Sequence, residues 1–428
     1  MKDLVRKIAL KLLLEFEEHH TFLNLALKNG LRCLKDERDR RFASALVYGV
    51  VERKITLDYF IGKLTEKRLD PTVRMILRMG ILQMFYMQVP ASAACDTSVE
   101  LAKQVGRSYS AGLINALLRR CAEEKDQLLL LKKVDFSVRY SISTEIVDLL
   151  LEQYRKEVFV AIMEQGCGKD EAVYLCRNAK KCSDKEFCDL MRGEGVAVEE
   201  TEIPLIYRSA TPFSVEDSPS FAAGCFHIIG FHSAMAAALL PESAKDILDL
   251  CAAPGGKTFM MASLSDGSIK AFDLYRHKAE LLKKGAERLG HSNVVSEQMD
   301  SSIFKKELKA SADFVLCDVP CSGLGMMGKK PEIKYKDCDN ASLCAIQQKI
   351  LCNGAEYLKE NGRLVYSTCT IDRRENEQQI QAFLKAHPEF SIDTENAIYG
   401  EQLFLPGENG DGFYIAVLKK GKQIESRS

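Results

Sequence analysis

The sequence has no tryptophan, no C-x-x-C pair and no apolar run near the roughly 18 residues needed to span a bilayer. The missing run excludes a helical membrane protein. The fifteen cysteines are odd in number and irregularly spaced, so neither a zinc ribbon nor a disulfide framework fits. A reducing compartment, the cytoplasm, is expected. Gly (27) and Pro (11) show no period, which excludes collagen-like and low-complexity chains. There is no internal repeat. The N-terminal stretch MKDLVRKIALKLLLEFEEHH lacks the small residues that close a secretory signal, so an amphipathic helix and no export are expected.

What is present is ordinary for a folded protein: 46% apolar and 28% charged residues over 428 positions, enough for two or three domains of about 150 each. Net charge is only −1, which by itself argues against a polyanionic partner. Its distribution does not: residues 1–120 carry about +8 and the rest about −9. A basic front module suits a chain whose front end holds a polyanion, and it also suits a solvated helical surface.

The first 120 residues read as successive helices, with Leu4, Ile8, Leu12 and Phe16 as one apolar face and Phe42, Leu46, Val47 and Val50 as another. Five to seven helices in an all-α domain are expected. Residues 122–140 are expected to be a helical linker. A small α/β subdomain is expected over 143–215, with helices at Thr144–Gln153 and Glu157–Met163. From about 220, short apolar runs (DILDL, IKAFDL, ADFVLCDVP, GRLVYSTCT) alternate with amphipathic helices, the pattern of a parallel, doubly wound sheet. YIAVLKK is read as a late strand.

Three segments carry chemistry. Leu248-Asp-Leu-Cys-Ala-Ala-Pro-Gly-Gly-Lys-Thr258 follows the first strand of the sheet and opens a helix. Its small residues admit a ligand close to the backbone, and the helix N-terminus offers N–H groups to an anionic group. A phosphate-binding P-loop would need glycine where Cys251 stands. Asp273 ends the next strand, where a carboxylate can take both hydroxyls of a ribose. Together these specify a nucleoside-bearing ligand without demanding a pyrophosphate, and S-adenosylmethionine fits. The second segment, Asp318-Val-Pro-Cys-Ser-Gly323, ends the fourth strand and faces the cleft; Asp318 there could bond a base edge. The third, Tyr366-Ser-Thr-Cys-Thr370, ends the next strand. Cys321 and Cys369 should reach one pocket, whereas Cys251 and Cys317 lie in apolar runs as small hydrophobes. No other His or Cys is spaced to complete a metal site, so no metal is expected.

LDLCAAPGGKT, DVPCSGLG and VYSTCT resemble the signatures of RNA cytosine-5 methyltransferases of the Sun/Fmu type. RRFASALVYGVVERK, LRMGILQMFY, PASAACDTSVELAK and INALLRR resemble the NusB-like domain fused to such enzymes. The combination is similar to the bacterial branch acting on 16S rRNA of the small subunit. The resemblance implies a NusB-like RNA-binding domain at 1–125, a linker and small subdomain at 126–220, and a Rossmann-like methyltransferase domain at 221–428. It implies that Cys369 is the nucleophile that adds to C6 of cytosine, that Cys321 assists breakdown of the adduct, and that Asp318 holds the base. Cys251, Ala252, Ala253, Pro254, Gly255, Gly256 and Lys257 would seat the methionine end of the cofactor. Asp273 would hold the ribose and Asp300 the adenine side, with Asp318 bordering the same site. Lys257 would contact the cofactor or the Asp318 region. The target base must be unstacked or flipped out. Arg40, Arg41, Arg119, Arg120, Lys329 and Lys330 are candidate RNA contacts, mainly to phosphates.

The family's Gln-Asp-x-x-Ser element is here Ile229-Gly230-Phe231-His232-Ser233, so its Asp is missing at position 230. Its Arg-x-Pro-Asp-Ile-x-Trp element is Lys329-Lys-Pro-Glu-Ile-Lys-Tyr335, with Tyr335 expected to keep a stacking ring. The alternatives are the same chemistry on tRNA or another RNA, and a non-catalytic RNA-binding or antitermination protein. A monomer is expected.

Overall fold

A computed structural model describes residues 2–19, 23–165, 172–338, 340–395, 400–407 and 410–421. The chain divides into two units: residues 1–152 with 330–338, and residues 153–329 with 339–428.

The first unit is helical: α1 (Lys2–His19), α2 (Leu23–Gly30), α3 (Glu37–Glu52), α4 (Lys54–Leu64), α5 (Pro71–Phe85), α6 (Ala91–Gln104), α7 (Ala111–Glu123), then short α8 (Lys125–Leu128) and α9 (Phe136–Tyr140), and α10 (Thr144–Gln153). Local signals set the helix starts. Asp36 accepts from Arg38 N at 2.8 Å to cap α3, and Asp70 accepts from Thr72 N at 2.9 Å to cap α5, with Pro71 in the first turn. The apolar face of α1 is rotated from the expected one. Val5, Ala9, Leu12, Leu13 and Phe16 are buried, whereas Leu4 is 50% exposed. α5 is buried nearly all round. Its Arg78, only 3% exposed, is held by Asp58 at 2.8 and 2.6 Å and by Glu17 at 2.6 Å. Part of the positive charge of this region is therefore spent inside the fold.

The second unit begins with α11 (Lys156–Gln165) and a four-stranded antiparallel sheet. Its strands are β1 (Tyr174–Arg177), β2 (Val198–Glu200), β3 (Ile206–Ser209) and β4 (Phe226–Ile228), in the order β2-β3-β1-β4. Helix α12 (Asp184–Gly193) lies between the first two and starts at a Ser183/Glu186 capping box. After α13 (Pro219–Ala222) and α14 (Phe231–Ala238) comes the large sheet. Its parallel strands are β5 (Asp246–Asp249), β6 (Ser268–Asp273), β7 (Val294–Gln298), β8 (Ala312–Asp318) and β9 (Leu358–Thr368). They are separated by α15 (Gly256–Leu264), α16 (Arg276–Leu289) and α17 (Ala341–Tyr357). α18 (Glu377–Ala386) leads to β10 (Phe390–Ile392), β11 (Glu401–Phe404) and β12 (Phe413–Lys420), which run antiparallel. The order is β10-β12-β9-β8-β5-β6-β7, with β11 on β12.

This is the expected all-α front, small α/β region and Rossmann-like sheet. The strand order reverses between β5 and β8, and ligands of open α/β sheets bind at the carboxyl ends beside such a reversal. The central strands are buried on both faces: Ile247, Ala271, Phe314, Val315, Leu364 and Val365 are at most 1% exposed. That explains why they read as continuous apolar runs.

Candidate active site

β8 and β9 pair in parallel with Asp318 opposite Ser367. Both cysteine segments therefore leave the sheet at the same level. The Sγ atoms of Cys321 and Cys369 lie 3.3 Å apart, half-buried, and neither forms a disulfide. The Cys321 thiol is pushed well above its ordinary value by its bond to Cys369, by burial, and by the charges of Cys369 and Glu375. Cys321 is therefore held as the protonated partner. Gly325 N donates to the Cys369 carbonyl at 3.1 Å, and a side chain at Gly325 would collide with the Gly412 carbonyl at 2.2 Å, so only glycine fits there.

Beside the thiols stands an ion pair. Lys257 Nζ lies 2.6 Å from Asp318 Oδ2 and donates to Ser233 Oγ at 3.3 Å, and Ser367 donates to Asp318 Oδ1 at 2.7 Å. Of the two contacts expected for Lys257, the structure shows the one to Asp318. Lys257 also sits over the Phe413 ring. Ser233 is the surviving residue of the departed Gln-Asp-x-x-Ser element. Gly230 is the N-cap of α14 and supplies no side-chain cap. The missing Asp thus costs that helix a capping carboxylate.

The loop 251–257 joins β5 to α15. Gly255 has φ +112°, and a Cβ there would meet the Phe259 ring at 2.4 Å. α15 starts with no side-chain cap, leaving its first N–H groups directed out of the loop. Below it, Asp249 is 1% exposed and accepts from Thr258 Oγ1 at 2.7 Å. Burial pushes its carboxyl up to about 7. Cys317 is fully buried in the core and Cys251, partly buried, packs against the same cluster; burial raises both thiols.

Asp273 ends β6, and Asp300 lies just after β7. Asp273 Oδ1 accepts from Tyr275 N at 3.1 Å, and Asp300 Oδ1 accepts from Ser302 N and Oγ at 2.9 and 2.6 Å. Each carboxylate is thus oriented by its own turn. Two carboxylates at neighbouring strand ends, as acceptors, and the N–H donors of an uncapped helix N-terminus form a set that fits a ligand with ribose hydroxyls and a charged amino-acid tail.

The candidate RNA contacts separate. Arg40, Arg119 and Lys330 are exposed. Arg41 is paired with Glu37, Arg120 with Glu124 at 2.7 Å, and Lys329 with Asp411 at 2.8 Å, so three of the six charges already have acidic neighbours. Tyr335 does not keep a stacking ring available. Its hydroxyl donates to Val51 O at 2.6 Å and lies 2.9 Å from Ser141 Oγ, and the ring packs on the helical core. A phenol can cap buried carbonyls in this way, so the residue is used structurally.

Sequence reading missed the buried polar residues around the cysteines: Asn340, Gln347, Glu375 and Asn376, all at most 7% exposed. The run of polar residues after Cys369, at the head of a helix, was the only local signal.

A family model described as 16S rRNA methyltransferase RsmB/F matches residues 236–419, and one described as the NusB family matches residues 3–123. A Bacillus subtilis (strain 168) protein named Probable ribosomal RNA small subunit methyltransferase B is 33% identical over 456 residues, covering 98% of this chain and 99% of its own. The crystal structure of PH0851 shares the fold with a TM-score of 0.79 at 23% identity, over 98% of this chain and 99% of that one. NSun6 from Pyrococcus horikoshii, solved with SFG, has a TM-score of 0.57 at 20% identity, over 65% of this chain and 98% of its own. The chain belongs to the RsmB/F family of 16S rRNA methyltransferases, with a NusB-family domain at its front.

Proposed function

We propose that this chain methylates C5 of one cytosine in 16S rRNA, using S-adenosylmethionine and a transient bond between Cys369 and C6 of the base. The observation that carries the proposal is the pair of thiols 3.3 Å apart at two adjacent strand ends, next to the Lys257–Asp318 pair. One thiol alone would suffice for a structural cysteine. Two in contact, both half-buried at the carboxyl edge of a doubly wound sheet, suit a reaction needing a nucleophile and a second proton-handling group.

Bound adenosylmethionine supplies an electrophilic methyl group, and that a fold neighbour was solved with SFG supports this choice of cofactor. The 251–257 loop would hold its methionine end, Asp273 its ribose and Asp300 its adenine side. Addition of the Cys369 sulfur to C6 places electron density on C5. Asp318, held by Lys257 and Ser367, would bond the N3/N4 edge and stabilise the adduct. After methylation a base, water being the simplest, takes the C5 proton; the C5–H electron pair reforms the C5–C6 double bond, the C6–S bond breaks and the Cys369 sulfur leaves as thiolate, a breakdown that Cys321 would assist. The base enters unpaired or flipped out. Phosphate contacts fall to the exposed Arg40, Arg119 and Lys330, with Arg41, Arg120 and Lys329 reachable only by exchanging their acidic partners.

Bisulfite sequencing of cellular RNA with and without the gene tests the reading. A single small-subunit rRNA cytosine should lose its methyl group. A loss confined to tRNA would keep the chemistry and overturn the substrate, and no loss anywhere would favour a binding role. With purified protein, Cys369→Ala should abolish transfer and Cys321→Ala should accumulate covalent RNA adduct. Full activity in Cys369→Ala would exclude the nucleophile.

A further inference from the structure

Glu375 and Asn376 lie side by side at the head of α18, both 0% exposed. A carboxylate and an amide so deeply buried are tolerated only when their partners satisfy them. The Glu375 carboxylate accepts from Ser322 N at 2.9 Å, from Gln347 Nε2 at 2.8 Å and from Asn340 Nδ2 at 3.1 Å. Gln347 Nε2 also donates to the Pro320 carbonyl at 2.9 Å. The residues before and after Cys321 are thus fastened to one carboxylate–amide pair.

Asn376 treats Cys369 in the same way. Its Oδ1 accepts from Thr368 Oγ1 at 2.6 Å and its Nδ2 donates to the Thr370 carbonyl at 3.0 Å, again on both sides of the cysteine. The two loops are joined by the Ser322 and Thr370 hydroxyls, 2.7 Å apart. The dipeptide is itself tied to the sheet, because Tyr366 OH donates to the Glu375 carbonyl at 2.7 Å.

We propose that Glu375-Asn376 is a positioning device that sets the separation of the Cys321 and Cys369 thiols, so that both address one cytosine ring from fixed points. The inference rests on the proposed roles of the two cysteines. Its physical basis is that a strand-end loop does not by itself fix a side chain to tenths of an ångström. A misplacement of about 1 Å costs about 100-fold in rate. The charge of Glu375 also helps to keep Cys321 protonated beside Cys369.

The test compares wild type, Glu375→Gln, Asn376→Ala and a control, Asn178→Ala, in the full-length protein. Asn178 is equally buried and donates to the Gly224 and Leu289 carbonyls, remote in sequence from both cysteine loops. Two rates are read. One is single-turnover methyl transfer to a 16S rRNA fragment, with its half-saturating RNA concentration. The other, independent of RNA and cofactor, is formation of a Cys321–Cys369 disulfide by diamide, followed by peptide mass spectrometry; the two thiols are oxidised and the diazene is reduced to the hydrazine. The expected result for Glu375→Gln and Asn376→Ala is transfer slower by about 100-fold at unchanged half-saturation, with cross-linking slower by about tenfold or more. Asn178→Ala should change neither, although its melting temperature falls. Folded dipeptide variants that keep the wild-type cross-linking rate would overturn the proposal, as would a control that slows both rates equally. If Glu375→Gln does not fold, Asn376→Ala and Ser322→Ala decide. Should Cys369→Ala retain transfer, the nucleophile falls, while the cross-linking rates still decide the positioning claim.

Discussion

Replacing Asp249 with Asn should make the second unit more resistant to alkaline conditions. Asp249 is almost completely buried under the 251–257 loop, and burial raises its carboxyl to about 7. In the unfolded chain the same group titrates near 3.9. Between these values the folded state holds a proton that the unfolded state has released, so stability falls as pH rises, by about 1.4 kcal/mol per pH unit. Integrated from pH 5 to pH 8, this one group removes about 2–3 kcal/mol from the wild type. Asn cannot titrate. Relative to wild type, Asp249→Asn should therefore gain about 2–3 kcal/mol over that interval, whatever fixed cost the amide brings at both pH values. Other carboxylates cancel because they are common to both proteins. The assay is urea unfolding at pH 5 and pH 8, followed by amide exchange of peptides from β5 and β6. The local probe is needed because a chain of two units has no single unfolding transition. A stability difference between variant and wild type that does not change with pH would refute the reasoning.

Tyr335→Phe should destabilise the helical unit by about 1–3 kcal/mol, since the Val51 carbonyl loses its buried donor. Calorimetry should show it, and RNA affinity should not move; an unchanged helical transition would restore the stacking role. Gly255→Ala should lower both the melting temperature and the calorimetric affinity for adenosylmethionine. The residue sits at φ +112° and a Cβ would strike the Phe259 ring, so backbone strain of about 1–2 kcal/mol adds to a clash at the loop proposed to seat the cofactor. Wild-type values for both quantities would show that the loop relaxes freely.

The elements were legible where burial follows a simple period. α16, strongly amphipathic, and the doubly buried strands β5 and β8 could be read directly, because an apolar stripe or run has one stable use. α1 was misphased: Leu4 continues the i, i+4 series of Ile8 and Leu12, but the helix turns Val5 and Ala9 inward instead. At a helix end the packing partner decides which side is covered, and the series alone does not name the partner. The cysteine segments were legible because turn residues and strand ends place them at one edge of the sheet. Their mutual distance was not, since Glu375, Asn376, Gln347 and Asn340 are drawn from α17, α18 and their approaches.

The sequence by itself determined the helical front, the order of strand and helix in the sheet, and the residues delivered to its carboxyl edge. These follow from local periodicity and turn chemistry, which act over a few residues. Only the tertiary structure decided that Lys257 pairs with Asp318, that Asp249 is held near neutrality, and that residues 330–338 belong to the first unit with Tyr335 capping a carbonyl of α3. Those outcomes depend on desolvation and on partners 61 to 284 positions away, which no local pattern encodes.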